Sequence, residues 1–300
     1  MGNSAAPRWS RNSCTGSTIL SATGIETGLE GLLAYAFMQR AFLAGFFISV
    51  ACGILGVFLV LRRDAMIGHG LSHVTFGGVA LGLFFYVLPM LVALGVTVLA
   101  ALGILKLKER AGLYGDTAIG IVSSLGMALG IVLASLAGSF NVDLLGYLFG
   151  SVLAIAPGEV WTAFFLACAV LVAVGLFYQE FLFLTFDPES ARASGVQVGR
   201  LNALMAVLTA VNIVLGMKVV GILLVSALLI VPAAAALQVA GSFRGAMILA
   251  AAVAGGSTWG GLILSFYLDW PPSGTIVLIS ASLFLLLFRF RSSRLSPPGS

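Results

Sequence analysis

His69 and His73 are the only histidines in a chain of 300 residues, and they stand four apart in the run RRDAMIGHGLSHVTFGGVALG, residues 62–82. On an α-helix this spacing puts two side chains on one face with Cβ atoms about 5–6 Å apart, so both imidazoles can aim at one point. Two histidines scattered at random over a chain of this length would land at that separation roughly once in 150 trials. Neutral imidazole is a common ligand for divalent transition metals, and two on adjacent turns make half of a site. The alternative use is a pair of hydrogen bonds to neighbouring helices. The spacing also matches the zinc-protease helix H-E-x-x-H, but Gly70 stands where that chemistry needs a glutamate as general base. No catalytic residue is expected.

The elements that must position this pair are membrane helices. The chain is 60% hydrophobic and 9% charged, with a mean hydropathy of +1.12, more than a soluble core of this size requires. Beyond residue 40, apolar stretches of about 20 residues recur, each long enough to cross a hydrocarbon core about 30 Å thick as a helix. They lack the two-residue alternation of a membrane barrel. The chain is therefore expected to be an all-α polytopic membrane protein with eight or nine transmembrane helices. The spans fall at 41–61, 66–87, 89–106, 117–137, 159–181, 200–217, 219–240, 244–267 and 274–290. Only GMKVVG, residues 216–221, separates the sixth from the seventh, and this leaves the choice between eight and nine open. Residues 139–157 are too polar and Gly-broken to count as a span.

The net charge of +4 comes from basic residues at span ends rather than from one face or run, which argues against a nucleic-acid partner and for a topology signal. In the nine-span arrangement all of the 15 Lys and Arg except Arg8, Arg11, Arg40 and Lys218 fall on one side. That side is expected to be cytoplasmic, with the C-terminus on it. Residues 1–36 are polar, lack a signal-peptide core and are expected to be disordered. Residues 37–291 form the transmembrane domain and 292–300 a cytoplasmic tail.

The remaining polar groups have plainer expectations. Cys14, Cys52 and Cys168 are scattered and read as small hydrophobes. Asn212, Ser226, Gln238, Thr258 and Ser265 are expected to bond between helices, and Asp64 and Asp116 to cap the helices that follow them. Glycines four apart (78 and 82, 126 and 130, 146 and 150, 256 and 260) read as close-packing faces.

Taken in order, FMQRAFLAG, RRDAMIGHGLSHVTFGGVALG, GDTAIGIVSSLGMALGIVL, NVDLLGYLFG, FDPESARASGV, GILLVSALLIVPAAAA and DWPPSGTIVL resemble the permease subunit of the zinc, manganese and iron family of ABC importers. The resemblance covers roughly residues 37–280. It implies a permease fold like that of the vitamin B12 and siderophore importers, a homodimer in the prokaryotic inner (cytoplasmic) membrane, a separate ATPase subunit and an extracytoplasmic metal-binding protein. No G-x-x-x-x-G-K-[ST] segment is present, in keeping with an ATPase on another chain. Apart from membrane lipid, the implied ligand is the transported divalent metal, with no cofactor held by this chain.

Most members of that family carry D-x-x-x-H where this chain has His69 and His73, so the metal role carries over more directly to His73. Replacing a carboxylate by imidazole should favour zinc over manganese or iron. The resemblance also assigns FDPESARASGVQVG, residues 186–199, to ATPase coupling. Asp187, Pro188, Glu189, Ala191, Arg192 and Gly195 would make the contact, with Gly195 permitting close approach. A secondary transporter driven by an ion gradient is the rival reading, but such proteins carry buried carboxylates that these spans lack.

Overall fold

An apolar run in lipid must satisfy its own backbone hydrogen bonds, and a helix does so residue by residue. The computed structural model describes residues 35–111, 115–136, 146, 150 and 155–295, and every regular element among them is helical. They are α1 (Ala36–Leu61), α2 (Met66–Phe84), α3 (Pro89–Ala111), α4 (Gly115–Leu136), α5 (Pro157–Leu176), α6 (Tyr178–Phe186), α7 (Pro188–Ala193), α8 (Val198–Val220), α9 (Ile222–Val239), α10 (Phe243–Leu268) and α11 (Pro272–Leu295). Among the described residues, nine helices (α1–α5 and α8–α11) are long and apolar enough to cross a membrane. Of the residues 1–36 expected to be disordered, 1–34 lie outside the described residues, as does most of 139–157, while Ala36 opens α1.

Two boundaries differ from the hydropathy reading. The span expected over 159–181 breaks at Phe177 (φ −104°, ψ 27°) into α5 and α6, where the polar Tyr178, Gln179 and Glu180 end the apolar run. The sixth and seventh spans are joined by Gly221 alone, at φ +90°, a conformation that favours glycine. A Cβ on Gly216 would fall 2.7 Å from the Val225 side chain, so α9 folds back along α8 and both stand as separate helices. Elsewhere the turn chemistry is local: the Ser242 hydroxyl takes the Gly245 N–H at the start of α10, and Asp269 adopts φ +53° before Pro272 opens α11.

The bundle is built around α1, which packs against α5, α8, α9 and α10, while α2 packs against α3 and α4. In both α1 and α2, 72% of the most apolar window is buried, against 17% in α11, which separates centre from periphery. The approach is close: a Cβ on Gly53 would lie 2.7 Å from the Ala250 carbonyl oxygen, and one on Gly77 2.4 Å from that of Gly126. The glycines at 78, 82, 126 and 130 all meet a neighbouring helix in this way. Gly256 meets nothing, and Gly261 makes the close contact with Ile276 instead.

Polar contacts sort the helix ends into two sets. Lys108 at the end of α3 binds Asp64 before α2, and Arg62 after α1 binds Asn202 early in α8. At the opposite end, Lys218 late in α8 pairs with Glu159 early in α5, and Arg40 reaches the Ile155 carbonyl. Successive spans therefore run in alternating directions, and the first two turns of α2 lie at the same end as α7.

Candidate metal path and coupling segment

α2 starts without a side-chain cap. Its N-cap position falls on Ala65, one residue after Asp64, so the expected capping role of Asp64 is not realised; its carboxylate turns instead to Lys108. Asp116 lies in the first turn of α4, where a carboxylate complements the helix dipole. By helical rise His69 and His73 stand about 4.5 and 10 Å along α2 from Met66.

The pair faces out of the chain. Met66 and His69 are exposed and His73 is half-buried, while Gly68, Gly70, Leu71, Ser72 and Val74 around them are buried. The uncovered strip follows one helix face and ends at His73. The two Nε2 atoms are 3.1 Å apart, with the rings edge to face at 85°. One imidazole can donate its Nε2–H to the other, and a metal arriving there displaces that proton. With zinc–nitrogen bonds of 2.0–2.1 Å, this separation subtends about 100° at a shared ion, between the octahedral and tetrahedral values. Among the described residues no group of three or more His, Cys, Asp and Glu could hold a metal, so within one chain these two nitrogens could supply at most two ligands.

Two of the other expected intramembrane polar residues bond between helices. Asn212 donates to the Cys52 sulfur at 3.1 Å, and the Thr258 and Ser49 hydroxyls bond each other, both between helices as expected. Ser226 bonds the Leu223 carbonyl of its own helix and Ser265 the Trp270 carbonyl beyond its own, so neither joins two helices. Cys52 and Cys168 are free thiols.

Residues 187–196 form a capped single turn and a half. Asp187 is the N-cap of α7, accepting the Ser190 N–H at 3.0 Å, and Pro188 takes the first helical position. Hydrogen bonds from Ser190 hold the Asp187 carboxyl below its ordinary range. At the other end the Val196 N–H bonds the Ala191 carbonyl and the Gly195 N–H that of Arg192, with Gly195 at φ +85°, a Schellman closure. Asp187, Pro188, Glu189, Arg192 and Gly195 are exposed. Ala191, expected among the contact residues, is fully buried in the core; on a six-residue helix one face must anchor it, and Ala191 is that face. Nothing lies within 4 Å of a Cβ on Gly195, so backbone conformation rather than close approach within the chain requires glycine there. A cleft of about 570 Å³ opens beside the segment, lined in part by Glu180, Gly195, Gln197 and Arg200.

The sequence reading missed what holds the α1–α2 turn. Arg62, read as a topology signal, donates to the Asn202 side chain; burial pushes its guanidinium below the ordinary value, against the opposing pull of Asp64. The one available signal was Asn202 itself, a polar residue in the first turns of an apolar span.

The sequence profile of the ABC 3 transport family matches residues 34–291. The chain belongs to this family. Proteins similar to it include the manganese transport system membrane protein of Listeria monocytogenes, 36% identical over 87% of this chain and 93% of that protein. The high-affinity zinc uptake system membrane protein of Haemophilus influenzae is 35% identical over 87% of this chain and 100% of that protein. Among solved structures, the Streptococcus pneumoniae PsaBC complex with Fab is 30% identical, with a TM-score of 0.78 over 89% of this chain and 98% of that one. As an ABC 3 chain this is a multi-pass membrane permease component of a transporter, with ATP hydrolysis on a separate subunit.

Proposed function

We propose that this chain forms the conducting subunit of an ATP-driven importer of divalent metal, zinc ahead of manganese or iron. Two copies pair so that the uncovered strips of α2 face a common path, and metal arrives from an extracytoplasmic binding protein. The exposed residues of the 187–195 segment dock on the ATPase, which puts that end of the bundle and the C-terminus in the cytoplasm of a bacterial inner membrane. Alternating access follows from a shift between two arrangements of the paired bundles.

The observation that carries this reading is the His69–His73 pair: two imidazole nitrogens 3.1 Å apart, on the open face of an otherwise buried helix. Ionisable groups at membrane depth are costly and face a cavity or path, and a second copy would bring the ligand number from two to the four that zinc takes. Family membership sets aside the gradient-driven rival. Manganese is the second reading, favoured by the names of relatives such as the Listeria protein. Competitive uptake of labelled zinc and manganese, by cells expressing the transporter with its ATPase and binding protein, decides between them. Zinc should displace manganese at equal concentration; the reverse result rejects the zinc assignment.

A further inference from the structure

The turn between α1 and α2 is held from two sides by groups remote in sequence. Arg62 donates to Asn202 in the second turn of α8, and Asp64, itself buried, accepts from Lys108 at the end of α3. Between them Arg63 has φ +58°, so the turn is a defined kink rather than a continuation of either helix. Asn202 stands four residues after Val198, where α8 emerges from the 187–197 segment, and Val198 and Leu201 beside it are buried. His69 follows Arg62 by seven residues. The turn therefore touches the helix that leaves the coupling segment and carries the helix that bears the imidazoles.

We propose that Arg62 and Asn202, braced by Asp64 and Lys108, are positioning residues through which movement of the coupling segment reaches the His69–His73 pair. This rests on the reading of 187–195 as the ATPase-docking segment and of the pair as metal-contacting. A helix moves as a rod, so a displacement where α8 begins arrives at Asn202 about 6 Å further along. Apolar contacts between helices can slide. A hydrogen bond from a guanidinium is directional and roughly twice as strong as a neutral one, so it drags the turn with α8. The brace from α3 makes the turn rotate the start of α2 rather than bend loosely. Neither contact touches the metal, and both act through the position of α2.

The test uses the whole transporter, permease with ATPase and binding protein, reconstituted in proteoliposomes, with zinc uptake and ATP hydrolysis measured on the same preparation. Asn202→Ala and Arg62→Gln should keep hydrolysis stimulated by the zinc-loaded binding protein while zinc moved per ATP falls about five-fold or more. Asn202→Asp keeps an acceptor for Arg62 and should retain coupling. Asp64→Lys and Lys108→Asp should each lower zinc per ATP, and the double exchange should restore it. If uptake and hydrolysis fall in parallel with the amount of inserted protein, and zinc per ATP is unchanged, the four residues serve only insertion and stability and the proposal is overturned. Failure of the underlying reading would look different. Wild-type uptake by His73→Ala would remove the metal role of the pair, whatever Asn202→Ala does.

Discussion

His73 and Thr75 stand two positions apart on α2, yet the two side chains are treated in opposite ways. Thr75 is fully buried; its hydroxyl bonds the Leu71 carbonyl and meets Thr97 on α3 at 2.9 Å. The imidazoles of His69 and His73 have each other and an open face. The same division appears in the proposed coupling segment, where Ala191 is buried in the chain and Pro188, Glu189, Arg192 and Gly195 are left outside. Thr75 and Ala191 are engaged within this chain, whereas on the proposed reading the outward residues meet the metal and the ATPase.

The largest effect should come from removing the group on the outward side. His73→Ala should reduce zinc uptake, normalised to membrane protein, by more than about ten-fold while insertion is preserved, because a ligand contributes to the path and little to packing. Uptake at the wild-type rate would place His73 with Thr75 as a structural residue.

Gly195→Trp should come next. A bulky residue at φ +85° is strained and protrudes from the exposed segment, so ATPase pull-down and stimulated hydrolysis should both drop several-fold. If both survive, the outward residues of α7 contact no partner.

A subtler change sharpens the comparison. His69→Asp exchanges nitrogen for oxygen and should shift relative transport towards manganese by a few-fold. Metal must displace protons from imidazole, so wild-type uptake should also fall more steeply than that of His69→Asp as the pH is lowered. Zinc–manganese competition measured at several pH values tests both; matching profiles would mean that position 69 does not meet the ion. The smallest effect belongs to the inward side. Thr75→Val should lower stability by about 1 kcal/mol or less and leave metal preference untouched, as unfolding in detergent and the same competition assay would report.

How much of this was legible in the sequence follows from how local each signal is. Eight or nine spans were readable because hydropathy is summed over a single helix; the choice between the two counts hung on the GMKVVG junction, and one end was missed where no glycine or proline marks a break, at Phe177. Asp187, Pro188 and Gly195 announce α7 through local cap chemistry, but a six-residue helix has too few turns to reveal that Ala191 points inward. The four-residue spacing of the histidines was plain; that their face is the uncovered one depends on where α3 and α4 pack. Arg62 with Asn202 and Asp64 with Lys108 were invisible as pairs, since they join separate helices brought together only by the fold. Asp64 shows the cost of a purely local rule: it precedes a helix, as a cap would, and serves another helix instead.

The single residue between α8 and α9 bears on how the protein is made. With only Gly221 as connector, α9 starts where α8 ends, and insertion of the two as one hairpin spares the unpaired backbone at that junction from standing alone in lipid. On the proposed orientation its tip crosses the membrane carrying Lys218. The carboxylate that receives this lysine, Glu159, lies earlier in the chain and is already held by the Ala156 N–H. The order of synthesis thus has the anionic berth translated before the cation that must be translocated to it.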